Sequence, residues 1–342
     1  MNPPTDTLID DVIAGRSLNH EQAAQVFGEL VAGRLPDQRV VQFLNALADK
    51  GETVEEIVGA AEVMRRHVVR IACDSPDAID TCGTGGDGIS TFNVSTAAAL
   101  VAAGAGARVA KHGNRSNSRR SGSAEVLLAL GVDIHASPAV VAQCIREVGI
   151  GFLFAAGLHP AMKRVATIRR EIGRTTIFNL LGPLTNPAFV RRQIVGVPRM
   201  ELLETIALAL DRLGIVRAFV VHGHDGLCDL TITGASSYVE LRDGRTAQYT
   251  IEPEDFGLDR APLDALRIDS PEESAEVIRA ILSGRRGPHR DHTLLNSAAA
   301  LAAAGVAADL SQGVKQAAAS IDTGAAAETL TKLAALTEAN AG

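Results

Sequence analysis

The sequence predicts an α/β fold: a small N-terminal helical domain, then a larger domain with a mainly parallel sheet flanked by helices. Residues 5 to about 70 show apolar spacing of helical period only, and from Ala78 short apolar segments alternate with helical ones. Such alternation belongs to βαβ units, whose strands pair in parallel. The chain of 342 residues also has room for about two domains at roughly 150 residues each.

The helical start reads residue by residue. Asn19 opens a helix to Gly33, with Ala23, Val26, Phe27, Leu30 and Val31 on one face. A second runs from Asp37 to Ala48, with Val40, Val41, Phe43, Leu44 and Leu47 apolar and Gly51 as its stop. Thr53 caps a third, continuing to about Val69, and Glu56 completes a capping box. Beyond Ala78 the expected order is strand 107–112, helices 121–130 and 138–148, strand 150–155, helices 159–173 and 200–213, and strand 217–222. Segments 229–233, 237–241 and 246–251 read as a short antiparallel excursion. Ala-rich helices over 272–283, 293–304 and 311–338, the last in two pieces, finish the chain.

Composition narrows the function classes. With 46% hydrophobic and 21% charged residues a sizeable core forms and wholesale disorder is excluded. Aromatics at 3%, with no Trp, make that core aliphatic and argue against base-stacking surfaces. A net charge of −7 argues against a dedicated nucleic-acid binder. Cys73, Cys82, Cys144 and Cys228 form no CxxC pair, so neither a zinc knuckle nor a disulfide scaffold is indicated. The start MNPPTDTLIDD lacks the basic and apolar regions of a signal peptide. The longest apolar run, Ala97–Ala107, is too short to span a bilayer. The expectation is a soluble, cytoplasmic protein.

The sharpest local signal is Asp80-Thr-Cys-Gly83-Thr84-Gly85-Gly86-Asp87-Gly88. Gly83, Gly85 and Gly88 satisfy GxGxxG, but a dinucleotide site needs a helix at once and an acid roughly 20 residues later. Residues 89–94 intervene here, and no acid occurs between Asp87 and Glu125. What survives is a bare backbone able to close on an anion. Asn93, Ser95 and Thr96 follow at a helix start, with Ser95 as the expected cap; free amides and the helix dipole there suit a phosphate. Asp87 repels phosphate and fits a divalent cation or a sugar hydroxyl better.

A second cluster, Lys111-His112-Gly113-Asn114-Arg115, ends an apolar strand and leads into Ser116, Ser118, Arg119, Arg120, Ser121, Gly122 and Ser123. Strand carboxyl ends are where open α/β sheets bind ligands. Two anion-suited helix starts point to a substrate with phosphate at both ends. On helix 159–173, Arg169 borders the stripe Met162, Val165, Ile168 and Ile172, where a guanidinium seeks a carboxylate, from a ligand or from the protein. Asp225 and Asp229, after strand 217–222, serve a metal or cap a turn.

Together these motifs resemble anthranilate phosphoribosyltransferases. GTGGD at 83–87, NVST at 93–96, KHGNR at 111–115, SGSA at 121–124, HPAMK from His159, RRE at 169–171, TIFNLLGPLTNP at 176–187 and HGHDGL at 222–227 occur in that family's order and cover nearly the whole chain. The resemblance implies a helical domain of residues 1–72, to which about 159–188 returns for dimerisation and the acceptor side, and an α/β domain over 73–342. It implies transfer of the phosphoribosyl group from 5-phosphoribosyl 1-diphosphate (PRPP) to anthranilate in tryptophan biosynthesis, with Mg²⁺ and a homodimer.

Carried onto this chain, the family's PRPP site comprises Gly83, Thr84, Gly85, Gly86, Asp87, Thr91, Asn93, Ser95, Thr96, Lys111 and Ser123. Its anthranilate site comprises Gly83, Asn114, His159, Arg169 and Gly182. Lys111, Asn114 and Arg169 take the catalytic roles, and Ser95 and Asp229 ligate Mg²⁺. The chain departs at Cys228, where the family has an acid, which weakens a second Mg²⁺ because Mg²⁺ prefers oxygen to sulfur. Arg119, Glu125 and Ala156 also replace the usual Ser, Asp and Pro. Two other readings share the fold: a paralogue binding nucleic acid through Arg115–Arg120, and a nucleoside phosphorylase. The negative charge and intact KHGN favour the transferase.

Overall fold

The computed structural model describes residues 3–116 and 121–340, without the side chains of 163 and 164. Ser118, Arg119 and Arg120 lie outside the described residues.

Four helices open the chain: α1 (Thr5–Ile13), α2 (His20–Val31), α3 (Asp37–Lys50) and α4 (Val54–Arg66). Asn19 and Gln22 form a reciprocal capping box at the start of α2, as Thr53 and Glu56 do for α4. Glu56 is fully buried. Its carboxylate accepts the Leu18 and Thr53 N–H groups at 2.9 and 2.8 Å and pairs with Lys50 at 2.9 Å. Gly59 sets the α2–α4 crossing, since a Cβ there would stand 2.7 Å from the His20 carbonyl oxygen. Helix α4 stops at Arg66, short of Val69. The Val69 and Ile71 N–H groups donate instead to the Leu158 and Pro187 carbonyls, so the exit segment runs along the returning chain.

The larger domain follows as β1 (Ile79–Gly83), α5 (Val94–Gly104), β2 (Val109–Gly113), α6 (Ser123–Ala129), α7 (Pro138–Glu147), β3 (Ile150–Phe154), α8 (Ala155–Leu158), α9 (Met162–Ile172), α10 (Ile177–Leu184), β4 (Arg192–Gly196), α11 (Leu202–Arg212), β5 (Arg217–Gly223), β6 (Ser236–Arg242) and β7 (Arg245–Ile251). Helices α12 (Pro271–Leu282), α13 (Pro288–Ala304), α14 (Leu310–Asp322) and α15 (Ala325–Glu338) complete it. The sheet order is β3-β2-β1-β4-β5-β6-β7. The first five strands are parallel, and β6 and β7 add an antiparallel hairpin. The chain leaves β1 toward β2 on one side and later fills β4 on the other. That switch point puts a crevice at the carboxyl ends of β1, β2 and β4.

Helices α9 and α10 share a core with the N-terminal bundle: Val165, Ile168, Ile177 and Leu181 pack with Val26, Phe27, Phe43 and Leu47. Phe27 meets Phe43 and Phe178 edge-on at 5.5 and 6.0 Å. Among the described residues no helix is long and apolar enough to cross a membrane.

Three expectations are corrected. The helix expected from 159 begins at Met162, because Pro160 disfavours helical backbone at His159, which sits at φ −116°, ψ 70°. Segment 229–233 is a loop, its Leu230 and Thr231 N–H groups taken by the Asn296 and Ser236 side chains rather than by a neighbouring strand. The cap of α5 is Asn93, whose Oδ1 accepts the Thr96 N–H at 3.1 Å; Ser95 lies inside the first turn.

Candidate active site

The crevice is a cleft of about 270 Å³. One wall is the loop Gly83–Gly86 after β1 with Asn93 and Ser95 of the α5 start. A second is Lys111–Ser116, from the end of β2 onward, with Ser121–Ser123 leading into the start of α6. Arg169, Phe178, Asn179 and Gly182 face them from α9 and α10, and Cys228 and Asp229 close the end beyond β5. Gly83, Thr84, Gly85, Gly86, Asn93, Ser95, Lys111, Asn114, Ser123, Arg169, Gly182 and Asp229 are thus brought together.

Positive φ at Gly85 and Gly86, 64° and 94°, turns the glycine loop in a conformation side chains resist. Thr84 N–H anchors it to Gly196 O at 2.8 Å. Gly196 itself admits no side chain, since a Cβ there would fall 2.6 Å from the Cys228 carbonyl carbon. The ends of β1 and β4 and the Cys228–Asp229 turn thus meet backbone to backbone. Asp225 caps that turn: its carboxylate accepts the Leu227 N–H at 3.1 Å and the Thr231 and Thr233 hydroxyls at 2.6 and 2.7 Å.

Four residues assigned by resemblance do not line the cleft. Asp87 points sideways: Oδ2 accepts the Cys228 N–H at 3.1 Å and Oδ1 the Ile89 N–H at 3.3 Å, latching the loop to the far turn. Thr96 is fully buried, its hydroxyl donating to Asn93 Oδ1 at 2.6 Å. Thr91 is buried, and its hydroxyl has no partner among the described residues. His159 lies one layer back, behind His112.

Lys111 is buried, its Nζ donating to Thr81 O at 2.7 Å and Ser95 Oγ at 3.2 Å. Burial holds its pKa below the ordinary lysine value, against the pull of Cys82, Asp80 and Asp229. At the neighbouring position, His112 Nδ1–H donates to Gly182 O at 3.0 Å, which leaves Nε2 to accept from His159 Nε2–H at 3.1 Å. Burial drives both imidazoles down, to about 3 and about 4, so both are neutral at pH 7. Nearby, Asp80, Cys82 and His112 bring ligand atoms within 4.8 Å of one another. The Asp80 carboxylate already accepts the His112 N–H and the Asn186 amide, and both His112 ring nitrogens are engaged, so the trio is a structural knot.

Arg169 faces the cleft from the helical side. It reaches Asn179 Oδ1 at 3.3 Å and stands 5.8 Å from the Phe178 ring centre, and among the described residues it pairs with no carboxylate. Burial lowers its pKa. Ser121 adds a buried hydroxyl without a partner among the described residues. Helix α6 spans only 7 residues, so the hydroxyls and Arg115, more than a dipole, make that wall suit an anion. Phe178, Asn179 and Ala155 also line the cleft. Sequence reasoning misses these three: Phe178 and Asn179 stand in the TIFNLLGP segment, but only the packing of α10 turns them inward.

The architecture defines a class before any relative is considered: a helical bundle and an α/β sheet facing each other across an anion-suited cleft. Residues 6–68 match the helical bundle domain of a glycosyl transferase family, and residues 75–327 match its α/β domain. The chain is 51% identical over 329 residues to an anthranilate phosphoribosyltransferase of Anaeromyxobacter sp. strain K, covering 96% of this chain and 97% of that protein. The anthranilate phosphoribosyltransferase of Thermus thermophilus superposes with a TM-score of 0.92 at 43% identity, over 97% of this chain and 99% of that one. The Saccharomyces cerevisiae enzyme, solved with PRPP and Mg, superposes at 0.89 with 27% identity over 98% of each chain; it has also been solved with 4-fluoroanthranilate. The chain belongs to the anthranilate phosphoribosyltransferase family.

Proposed function

We propose that this protein joins anthranilate to the C1 carbon of PRPP and releases diphosphate, a step of tryptophan biosynthesis. One observation carries the reading: a single cleft holds an anion-suited glycine loop and helix start on one side and Arg169, a half-buried guanidinium without a carboxylate among the described residues, on the other. PRPP supplies the phosphates and anthranilate the carboxylate.

In this reading Gly83–Gly86, Asn93, Ser95, Lys111 and Ser123 hold PRPP, while Asp87, Thr91 and Thr96 shape that wall from behind. Gly83, Asn114, Arg169 and Gly182 receive anthranilate, and His159 fixes His112 from the layer beneath. The amine attacks C1 as the C1–O bond to diphosphate breaks; the electron pair leaves with diphosphate and the amine sheds a proton. An arylamine is a neutral nucleophile, so the residues chiefly orient it, and positioning supplies up to ~7–11 kcal/mol in favourable cases. The sugar passes through an oxocarbenium-like state. Lys111, already bonded to Ser95, places a fixed positive charge beside the leaving group.

The donors at this end fit Mg²⁺: the Ser95 hydroxyl and Asp229 carboxylate both line the cleft and are hard oxygen ligands. When bound, Mg²⁺ neutralises charge developing on diphosphate. Cys228 offers sulfur where an oxygen would suit a second ion. We further propose a cytoplasmic homodimer; the four free cysteines agree with a reducing compartment.

The test is anthranilate fluorescence, which should fall when PRPP and Mg²⁺ are added together and stay constant when either is omitted. Constant fluorescence alongside phosphorolysis of nucleosides, or alongside salt-dependent DNA retention, would overturn the reading in favour of the corresponding alternative.

A further inference from the structure

A second cavity, of about 430 Å³, opens where the helical bundle joins the α/β domain, walled by Glu62, Arg65, Arg66, Val68, Arg70 and Phe189. None of these residues lines the catalytic cleft. We propose that this cavity binds an organic anion, a phosphate ester or carboxylate whose apolar part rests on Val68 and Phe189.

Three guanidiniums face one carboxylate here, and that carboxylate, Glu62, is engaged by His20 Nε2 at 2.9 Å. Arg65 is fixed by the carbonyls that end two helices, Leu184 of α10 at 2.6 Å and Leu213 after α11 at 3.0 Å. Arg66 and Arg70 make no ion pair or hydrogen bond among the described residues. Arg70 is nevertheless held in place, its guanidinium carbon 4.1 Å from the Phe189 ring centre. Phe189 adopts φ 53°, a backbone conformation that bulky residues rarely take. A helix dipole accounts for Arg65 and Arg66 in the last turn of α4, but not for Arg70, which lies beyond the helix. A planar guanidinium held against an aromatic ring, Arg70 on Phe189, with the exposed Arg66 lining the same cavity, matches a phosphate or carboxylate on an apolar body.

Placement gives occupancy a consequence. Arg66 and Arg70 belong to the chain leaving the bundle, and Phe189 to the chain returning from it; the two are stitched by Val69 N–H to Leu158 O at 2.8 Å and Ile71 N–H to Pro187 O at 3.1 Å. An anion held there ties the outgoing and returning crossings together.

Calorimetric titration at fixed ionic strength with phenyl phosphate, benzoate and inorganic phosphate tests this. The cleft can also take such anions, so the comparison is between wild type, Arg66→Gln/Arg70→Gln, and a control, Arg285→Gln/Arg286→Gln, that removes equal charge elsewhere. The expected result is one binding site fewer in the first variant and none lost in the control, with the lost site at least 3-fold tighter for an aryl anion than for inorganic phosphate. Phenyl phosphate against benzoate then distinguishes ester from carboxylate. The same number of sites in wild type and the Arg66/Arg70 variant, zero included, overturns the proposal, as does equal loss in the control. Unchanged turnover in the variant verifies that it folds.

Discussion

Replacing Gly196 by alanine should disable the cleft while leaving most of the fold standing. Gly196 ends β4 beside Gly83 of β1, and its carbonyl accepts the Thr84 N–H that anchors the glycine loop. A Cβ at 196 would lie 2.6 Å from the Cys228 carbonyl carbon and 3.2 Å from its Cβ. It would also overlap the Cys228 carbonyl oxygen outright; ordinary contacts are ~3.5–4.0 Å, so the Cys228–Asp229 turn must retreat by about 1.5 Å or more. Overpacking of this kind costs ~1–3 kcal/mol of stability, and a misplacement of about 1 Å at a reacting centre costs ~10²-fold in rate. Steady-state kinetics should show kcat/KM for PRPP falling by at least that factor and the Mg²⁺ requirement rising, with a still cooperative melt. Gly28→Ala is the control: nothing lies within 4 Å of its Cβ and it sits inside α2, so activity should hold and stability rise slightly. A folded Gly196→Ala protein with wild-type constants for PRPP and Mg²⁺ would refute the reasoning.

Acid should destabilise the protein well above the carboxylate range. Burial holds His112, His159 and His292 at about 3, 4 and 4, below the unfolded 6.5, so below pH 6.5 the unfolded chain takes up protons that the folded chain refuses. By pH 5 this amounts to about 2 kcal/mol each; Asp80, raised by burial to about 6, returns about 1 kcal/mol, for a net loss of about 5. Urea midpoints at pH 7 and pH 5 check this, and equal midpoints would contradict it. Glu56→Ala strips the Leu18 and Thr53 N–H groups and Lys50 of their shared buried acceptor and should cost ~3–5 kcal/mol in urea unfolding while leaving substrate constants unchanged. Cys228→Asp should lower the Mg²⁺ concentration giving half-maximal rate, and Mn²⁺ titration by electron spin resonance should show tighter binding with PRPP; no change in either would place residue 228 away from the ion.

The helical start is legible in the sequence because caps and apolar faces coincide: Asn19, Thr53 and Gly51 mark real ends. The glycine loop and strand-end Lys111 are legible because their chemistry is local. Strand β4 is not, because Arg192–Gly196 is short and carries polar residues at its start, and only its neighbours on both sides make it central. Asn93 and Ser95 are equally good caps by residue type, and the choice depends on which side chain reaches the Thr96 N–H. By residue type Asp87 reads as a ligand-facing acid, yet it reaches Cys228, far along the chain, a contact no local pattern encodes. His159 is similar: nothing in its motif reveals that His112 stands in front of it.

Central to the proposed activity is that Arg169 meets the acceptor carboxylate while the opposite wall holds PRPP. Initial rates of fluorescence loss for Arg169→Gln, with each substrate varied in turn, test this directly. The expected result is a KM for anthranilate raised ~10-fold or more, the size of one charge-assisted hydrogen-bonded pair, with the KM for PRPP within about 2-fold of wild type. An unchanged anthranilate KM, or a loss confined to PRPP, would contradict it.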